Sequence, residues 1–139
     1  MLQGINPLLT GELLMHLDEM GHSDTVIVVD AHFPASRLAE RLITLPGTTS
    51  PDVLEAVRSV VPLDDSPAVD LMTSADGTVL DVQKELLTAA GVTEADVRFV
   101  DRFDFYDEAE DAYVIIRTGE TRKYGCVIVR KGLVGHPSD

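Results

Sequence analysis

The sequence predicts a single α/β domain built on a mixed, mostly parallel β-sheet that is flanked by helices. Segments with helical spacing of apolar residues alternate with short, β-branched apolar segments along the 139-residue chain, which is the pattern of an α/β fold. The apolar segments are nearly continuous, as in strands buried on both faces of a parallel sheet. A short polar loop before the last strand permits a hairpin or another local connection, so a mixed sheet is expected.

The first helix and the first strand follow each other closely. Residues 8–20 carry leucines at helical spacing, with Thr10 as the candidate N-cap and Gly21 as the residue that closes the helix. Residues 25–31, TVIVVDA, form an almost unbroken apolar run and are therefore predicted to be a buried strand.

Prolines mark the boundaries of the next elements. A short helical or irregular stretch over residues 34–38 follows the first strand, and residues 41–47 form the second strand. Ser50 is the predicted N-cap of the next helix, with Pro51 at its first position and Pro62 at its end.

The second half of the chain continues this alternation. The predicted elements are a strand over 68–74, a helix over 81–91, a strand over 97–102, a helix starting over 102–108, and strands over 112–119 and 125–132. No repeat or low-complexity linker divides the chain, so residues 1–139 are expected to form one domain with a flexible tail over 132–139.

Composition and charge limit the classes of partner. The net charge of −13 disfavours nucleic acid and anionic membrane surfaces, which select basic patches. No apolar run approaches the roughly 20 residues of a membrane helix, and the first residues lack the pattern of a signal peptide. The single cysteine fits a reducing cytoplasm. Carboxylates accept hydrogen bonds from hydroxyl groups, so a neutral sugar is a plausible ligand.

The residues that usually hold metals and phosphates show no site-like spacing. The histidines at 16, 22, 32 and 136 have no ligand pattern with the one cysteine, and glycine-rich phosphate loops are absent. We therefore expect neither a metal nor another cofactor. A nucleophilic role for Cys126 is disfavoured because an apolar strand follows it directly.

Two histidines and two aspartates surround the first strand. His22 precedes the strand and is either a solvated loop residue, a cap on the last helix carbonyls or a catalytic group. Asp24 is expected to cap the turn into the strand. Asp30 ends the apolar run and either caps the next turn or binds a ligand, since an unpaired buried carboxylate is costly. His32 has the same two interpretations as Asp30, and turn geometry is slightly favoured for it.

A cluster of aromatic residues lies beside an arginine in the second half of the chain. Arg102, Phe103, Phe105 and Tyr106 either pack a helix start into the core or hold a polar ligand with an apolar face, such as a sugar ring. Tyr124, at the start of the last strand, either packs against its neighbours or offers its hydroxyl to a ligand.

Several motifs in a fixed order resemble a known family. The stretches INPLL, LDEMGHSDTVIVVDAHFPA, VPLD, RFDFYDEA and RTGETRKYGCVIVRKG together are similar to the ribose pyranase / L-fucose mutarotase family, and DAHFP and RFDFY resemble its fucose branch. The resemblance implies the fold of that family and an enzyme that interconverts the anomers of a free monosaccharide, L-fucose above all. Some members of that family also exchange the pyranose and furanose rings of the sugar.

The resemblance also implies roles for individual residues. His22 matches the general acid of the family, Asp30 a substrate-binding carboxylate and Asp64 a further acidic site residue. The remaining substrate-binding positions are Arg102, Tyr106, Tyr124 and Cys126.

Cys126 departs from the family motif, which reads YGN or YAN where this chain has Tyr124-Gly125-Cys126. A thiol is a weaker hydrogen-bond partner for a sugar hydroxyl than an asparagine amide, so this position bears on which sugar is bound. D-ribose pyranase activity and a non-catalytic monosaccharide-binding module are the alternative functions.

The family forms ring-shaped homo-oligomers, octamers or decamers, with sites between adjacent subunits, and the resemblance extends this expectation to the present chain. His22 and Asp30 are about eight residues apart, or roughly 20 Å and more in a fully extended strand. If they share one pocket, either the chain bends or the two residues come from different subunits.

Overall fold

The computed structural model describes residues 1–135, and residues 136–139, the end of the predicted tail, lie outside the described residues. The helices are α1 (Gly11–Glu19), α2 (Ala35–Leu38), α3 (Ser50–Arg58), α4 (Asp81–Ala90) and α5 (Arg102–Glu110), with a 3₁₀ turn over Glu94–Asp96. The strands are β1 (Thr25–Val29), β2 (Leu42–Leu45), β3 (Val69–Met72), β4 (Val97–Val100), β5 (Val114–Thr118) and β6 (Val127–Arg130).

All six strands join one sheet in the order β2-β5-β1-β6-β3-β4. The pairs β2·β5, β1·β5 and β3·β4 are parallel, whereas β6 runs antiparallel to both β1 and β3. The predicted mixed, mostly parallel sheet is therefore confirmed. The loop before β6 makes no hairpin, because β5 and β6 lie on opposite sides of β1.

Helices cover both faces of the sheet, as the nearly continuous apolar strands predict. On one face α1, α3 and α4 pack through buried side chains such as Leu13, Leu54 and Leu86. On the other face α2 and α5 pack through Leu38 and Phe105. No helix within residues 1–135 is long and apolar enough to cross a membrane.

The residues that cap α1 and α3 agree with the sequence prediction in one case and differ from it in the other. Thr10 caps α1 and accepts a hydrogen bond from the Leu13 amide, as predicted. The prediction that Ser50 caps α3 is wrong, because Thr49 accepts the capping bond from the Asp52 amide. Ser50 is instead fully buried, and its hydroxyl is used inside the fold.

The topology brings one set of strand ends to a single edge of the sheet. The carboxyl ends of the five parallel strands and the amino end of the antiparallel β6 meet there. In α/β sheets this edge is where ligands usually bind. The residues that follow β1 and β4 and precede β6 therefore lie in the position expected for a site.

Candidate active site

A cavity of about 380 Å³ opens at the carboxyl edge of the parallel strands. Its volume lies within the range of small-molecule pockets, roughly 300–1,000 Å³. The lining residues are Asp30, His32, Phe33, Met72, Arg102, Tyr106, Lys123, Tyr124 and Cys126. Five of the seven residues predicted to form the site thus lie around one space.

Asp30 is the carboxylate of this cavity, and its side chain is held by the surrounding chain. Oδ1 accepts hydrogen bonds from the amides of His32 and Phe33, each at 3.0 Å. Oδ2 lies 3.3 Å from Sγ of Cys126. Asp30 is 5% exposed. It caps the turn after β1 and also lines the cavity, so the capping role and the binding role that its position in the sequence suggests are compatible.

Cys126 contacts the carboxylate that it faces. Burial, followed by the negative charge of Asp30, raises the pKa of the Cys126 thiol well above its ordinary value. The thiol therefore stays protonated near neutral pH and donates to Asp30, while the Asp30 amide donates to the sulfur at 3.5 Å. Cys126 is 1% exposed, so its main partner within the subunit is Asp30.

Helix α5 supplies the arginine and one of the tyrosines. Arg102 and Tyr106 are one helical turn apart, which places them on the same face of the helix, and both line the cavity. Phe33 packs edge-on against Tyr106 with ring centroids 5.4 Å apart. Phe105 is fully buried in the core, whereas Phe103 is 66% exposed beside the Arg102 guanidinium. The aromatic cluster therefore divides into a core residue, a cavity residue and an exposed residue.

Tyr124 lines the cavity from a left-handed backbone conformation with φ of +63°. A bulky residue in this region costs on the order of 1–3 kcal/mol and persists only where the surroundings impose it. Here Arg122 binds the buried Glu120 carboxylate at 2.9 Å, and the Ser50 hydroxyl donates to the Gly125 carbonyl at 2.6 Å. The hydrogen bonds from Arg122 also lower the pKa of Glu120, so the loop keeps its ion pair near neutral pH.

A second cluster lies at the opposite edge of the sheet. Nε2 of His22 is 3.0 Å from Oδ1 of Asp64, and the Ser23 hydroxyl donates to Oδ2 at 2.7 Å. Bonds from Ser23, from the Asp65 amide and from His22 lower the pKa of Asp64 to about 2. Ser23 has a φ of +70°, so each cluster contains one non-glycine residue in the left-handed region.

The two clusters are separated by the length of β1. His22 and Ser23 precede this strand and Asp30 follows it, and its five residues span roughly 16 Å at about 3.3 Å each. The antiparallel strand β6 runs back along β1, from Cys126 beside Asp30 to Arg130. The carbonyl of Arg130 accepts a hydrogen bond from the Asp64 amide. The chain does not bend to bring the two sets together, so His22 is not among the residues that line the cavity.

A sequence model of the RbsD / FucU transport protein family matches residues 3–134. The chain belongs to the RbsD / FucU family. The match covers nearly all of the residues that the structure describes.

Relatives of this RbsD / FucU member include proteins that are named as L-fucose mutarotases and proteins solved with a bound sugar. The L-fucose mutarotase of Haemophilus influenzae strain PittGG is 38% identical over 142 aligned positions, covering 96% of this chain and 97% of the relative. The fucose mutarotase of Streptococcus pneumoniae, solved in complex with L-fucose, is 29% identical with a TM-score of 0.89, covering 96% of this chain and all of that one. Bacillus subtilis RbsD, solved with D-ribose, is 18% identical with a TM-score of 0.76 over 97% of this chain, which shows a shared fold.

Sequence reasoning missed three residues of these RbsD / FucU clusters. The sequence slightly favours turn geometry for His32, and although its amide does bind Asp30, its side chain also lines the cavity. Lys123 lines the cavity without any signal in the sequence apart from its neighbour Tyr124. Ser23 stands beside His22, but its bond to Asp64 joins positions 41 residues apart, which spacing does not reveal.

Proposed function

We propose that this chain is a mutarotase that interconverts the α and β anomers of a free monosaccharide, with L-fucose as the substrate. The observation that carries the proposal is the cavity, in which Asp30, Arg102, Tyr106 and Tyr124 surround a space suited to one small ligand. Such a set combines hydrogen-bonding groups for hydroxyls with aromatic surface for a sugar ring. The names of the full-length relative and of the solved neighbour with bound L-fucose support this choice of substrate.

The reaction needs an acid and a base and no other chemistry. The acid protonates the ring oxygen while the base removes the proton from the anomeric hydroxyl, so the ring opens to a carbonyl. Closure on the other face of the carbonyl reverses both transfers. We assign the acid to His22, because an imidazole can hold or release a proton near neutral pH. Asp30 fixes sugar hydroxyls or assists as a base, and Arg102, Tyr106 and Tyr124 position the ring.

Two subunits are part of this proposal, because His22 lies about one strand length from Asp30 within a subunit. The side chain of His22 is 51% exposed and is available to a second copy of the chain. A contact between the His22 edge of one copy and the Asp30 edge of the next is heterologous, and such contacts form a ring when the rotation between copies closes. We therefore propose a ring-shaped homo-oligomer with one site at each subunit contact.

Exposed apolar side chains at both edges support this arrangement. Phe103 is 66% exposed next to Arg102 at the cavity edge. At the other edge, Leu133 and Val134 are 69% and 85% exposed. They follow Lys131, which lies beside the His22 cluster because its carbonyl accepts a hydrogen bond from the Ser23 amide. Covering these side chains at a contact between copies would remove apolar surface from water, which favours association. A cytoplasmic location is also proposed, supported by the free cysteine.

Saturation-transfer NMR on L-fucose, D-ribose and D-galactose tests the activity directly. We expect the wild-type chain to accelerate anomer exchange of L-fucose, and the H22A variant to lose on the order of 10²-fold or more of that rate. H16Q is the control, because His16 lies in α1 away from the cavity. Acceleration of ribose alone would favour a ribose pyranase, and calorimetric binding without any exchange would favour a binding module.

Mixing two inactive variants tests the shared site. H22A and D30A are each expected to be inactive, because every site then lacks one essential group. In a randomly co-assembled ring, about one quarter of the contacts would join an intact His22 to an intact Asp30. Recovery of activity after co-assembly is the expected result. Absence of recovery, with mixed rings verified by mass spectrometry, would show that the site lies within one subunit.

A further inference from the structure

His32 is a cavity residue whose ring is fixed in one orientation and one tautomer. Its Nε2 lies 3.0 Å from the backbone carbonyl oxygen of Thr121. A carbonyl oxygen can only accept a hydrogen bond, so Nε2 carries a proton in this contact. In the neutral ring the proton is then absent from Nδ1, which keeps its lone pair.

The backbone of His32 is fixed as firmly as its ring. Its amide donates to Oδ1 of Asp30 at 3.0 Å, so the imidazole is attached directly to the turn that holds the cavity carboxylate. The side chain is exposed and lines the cavity. The contact with Thr121 uses Nε2 and leaves Nδ1 outside it. The residue that carries this basic nitrogen is thus bonded through its amide to Asp30 and lines the same cavity.

Asp30 is less suited to removing a proton than this nitrogen. Two amides and one thiol already bind its two oxygens, and a carboxylate has about four lone-pair sites in all. The remaining lone-pair site of the carboxylate can accept one hydrogen bond from a sugar hydroxyl. Among the side chains that line the cavity, His32 contributes the single imidazole, and imidazole is the side chain most often used as a general base.

We propose that His32 is a catalytic residue, the base that accepts the proton of the anomeric hydroxyl at Nδ1. This inference rests on the proposed mutarotase activity and assigns its second proton-transfer group. During opening, the O–H bond at the anomeric carbon breaks, its proton goes to Nδ1, its electron pair forms the carbonyl, and the bond from that carbon to the ring oxygen breaks. The ring oxygen takes the proton of His22 from the adjacent subunit. Closure returns both protons, so no other reactant is consumed.

Two substitutions separate the base from the hydrogen bond to Thr121. In H32Q the amide nitrogen replaces Nε2 as a donor to the Thr121 carbonyl, but no basic atom replaces Nδ1. We expect the exchange rate of L-fucose to fall on the order of 10²-fold, while the dissociation constant of L-fucose, measured by calorimetry, stays within a few-fold of wild type. H16Q should keep the wild-type rate and affinity.

Chemical rescue gives a readout that a purely structural role would not change. In H32A the imidazole is removed from an exposed position, so free imidazole has access to the space. We expect added imidazole to raise the exchange rate of H32A well above the sum of the variant alone and imidazole alone, with no rise for wild type or H22A.

The outcomes distinguish this inference from the proposed function. A wild-type chain that accelerates L-fucose exchange, together with an H32Q variant of equal rate, overturns the role of His32 and leaves the mutarotase activity intact. A loss of rate that follows a matching loss of affinity, without imidazole rescue, shows a binding role and also overturns it. A wild-type chain that accelerates no sugar overturns the proposed function and this inference with it.

Discussion

The Ser23 hydroxyl donates a 2.7 Å hydrogen bond to Oδ2 of Asp64, and this bond is the largest cause of the lowered pKa of that carboxyl. Ser23 makes it from a left-handed backbone, with φ of +70°. The serine therefore extends the ionised form of Asp64 to lower pH and holds its carboxylate beside His22.

Replacing Ser23 by glycine removes the hydroxyl and keeps a residue that tolerates positive φ. We expect the pKa of Asp64 to rise from about 2 towards its ordinary value of 3.8. A carboxyl with a lowered pKa stabilises the fold above its unfolded pKa, and that stabilisation is lost as the pH falls through the folded pKa. In S23G this stabilisation should therefore be smaller, and its loss should be complete at a higher pH than in the wild type. Carbon-13 NMR of the aspartate carboxyls measures the midpoint, and S36A should leave it unchanged.

Replacing Gly132 by alanine should disturb the same cluster through the backbone. A Cβ at this position would overlap the Leu63 carbonyl and lie 2.9 Å from the Asp64 amide nitrogen. Because the obstacle is backbone, the strand must shift, and we expect a loss of about 1–3 kcal/mol of stability together with slower sugar exchange. Urea unfolding measures the first effect. G11A is the control, since its Cβ would meet no atom within 4 Å, and a similar loss there would contradict the explanation.

The Cys126 thiol should resist modification in the folded chain. It is 1% exposed, and burial together with the nearby Asp30 charge raises its pKa, so little thiolate is present near neutral pH. We expect Ellman's reagent to react with it far more slowly in the native chain than in urea. Saturating L-fucose should not accelerate the reaction. A fast native reaction would mean that the sulfur is open to the cavity and is not engaged with Asp30.

Asp70 should contribute to stability through two arginines. It is fully buried on β3, where Arg98 binds it at 2.7 Å and Arg130 at 2.5 Å. Burial alone would raise its pKa, but the bonds from Arg130 and Arg98 outweigh burial and lower it. D70N leaves both arginines without their charged partner. Because each arginine is partly exposed, we expect the free energy of unfolding to fall by about 2–3 kcal/mol, which is at or below the lower end for breaking a buried ion pair.

The pH dependence of this loss checks its electrostatic origin. The difference in free energy of unfolding between wild type and D70N should be largest at neutral pH. It should shrink only as the pH falls below the ordinary pKa of an aspartate, because the pKa of Asp70 in the folded chain is lowered. Urea unfolding at several pH values measures it. D18N, which changes an exposed aspartate of α1, should have little effect. An advantage that stays constant down to pH 2 would point to packing as its source.

The sequence predicted the elements of this fold better than their neighbours in the sheet. The spacing of apolar residues and the cap at Thr10 indicate local structure correctly because they depend on residues a few positions apart. β1, β5 and β6 each carry a buried apolar run of three or more residues, so these runs do not indicate which strand lies beside which. The separation of β5 from β6 by β1 is therefore a property of tertiary packing.

Site residues show the same limit. Asp30 was recognisable because a carboxylate at the end of an apolar strand needs partners. Ser50 was misread because Thr49 and Ser50 are both good N-caps, and only the position of the Gly125 carbonyl decides which hydroxyl turns inward. The chemistry of His32 depends on Thr121, 89 residues away, and a contact over that distance leaves no trace in local spacing.

The placement of His22 and Asp30 at opposite ends of β1 links activity to the amount of protein present. If each site is made by two copies, a subunit diluted below the dissociation constant of the ring contains both halves of the machinery and no complete site. Specific activity would then fall on dilution and return on concentration, in the way that mass action governs any assembly. A cell could thus regulate anomer exchange through the abundance of this chain alone, without an effector or a covalent modification.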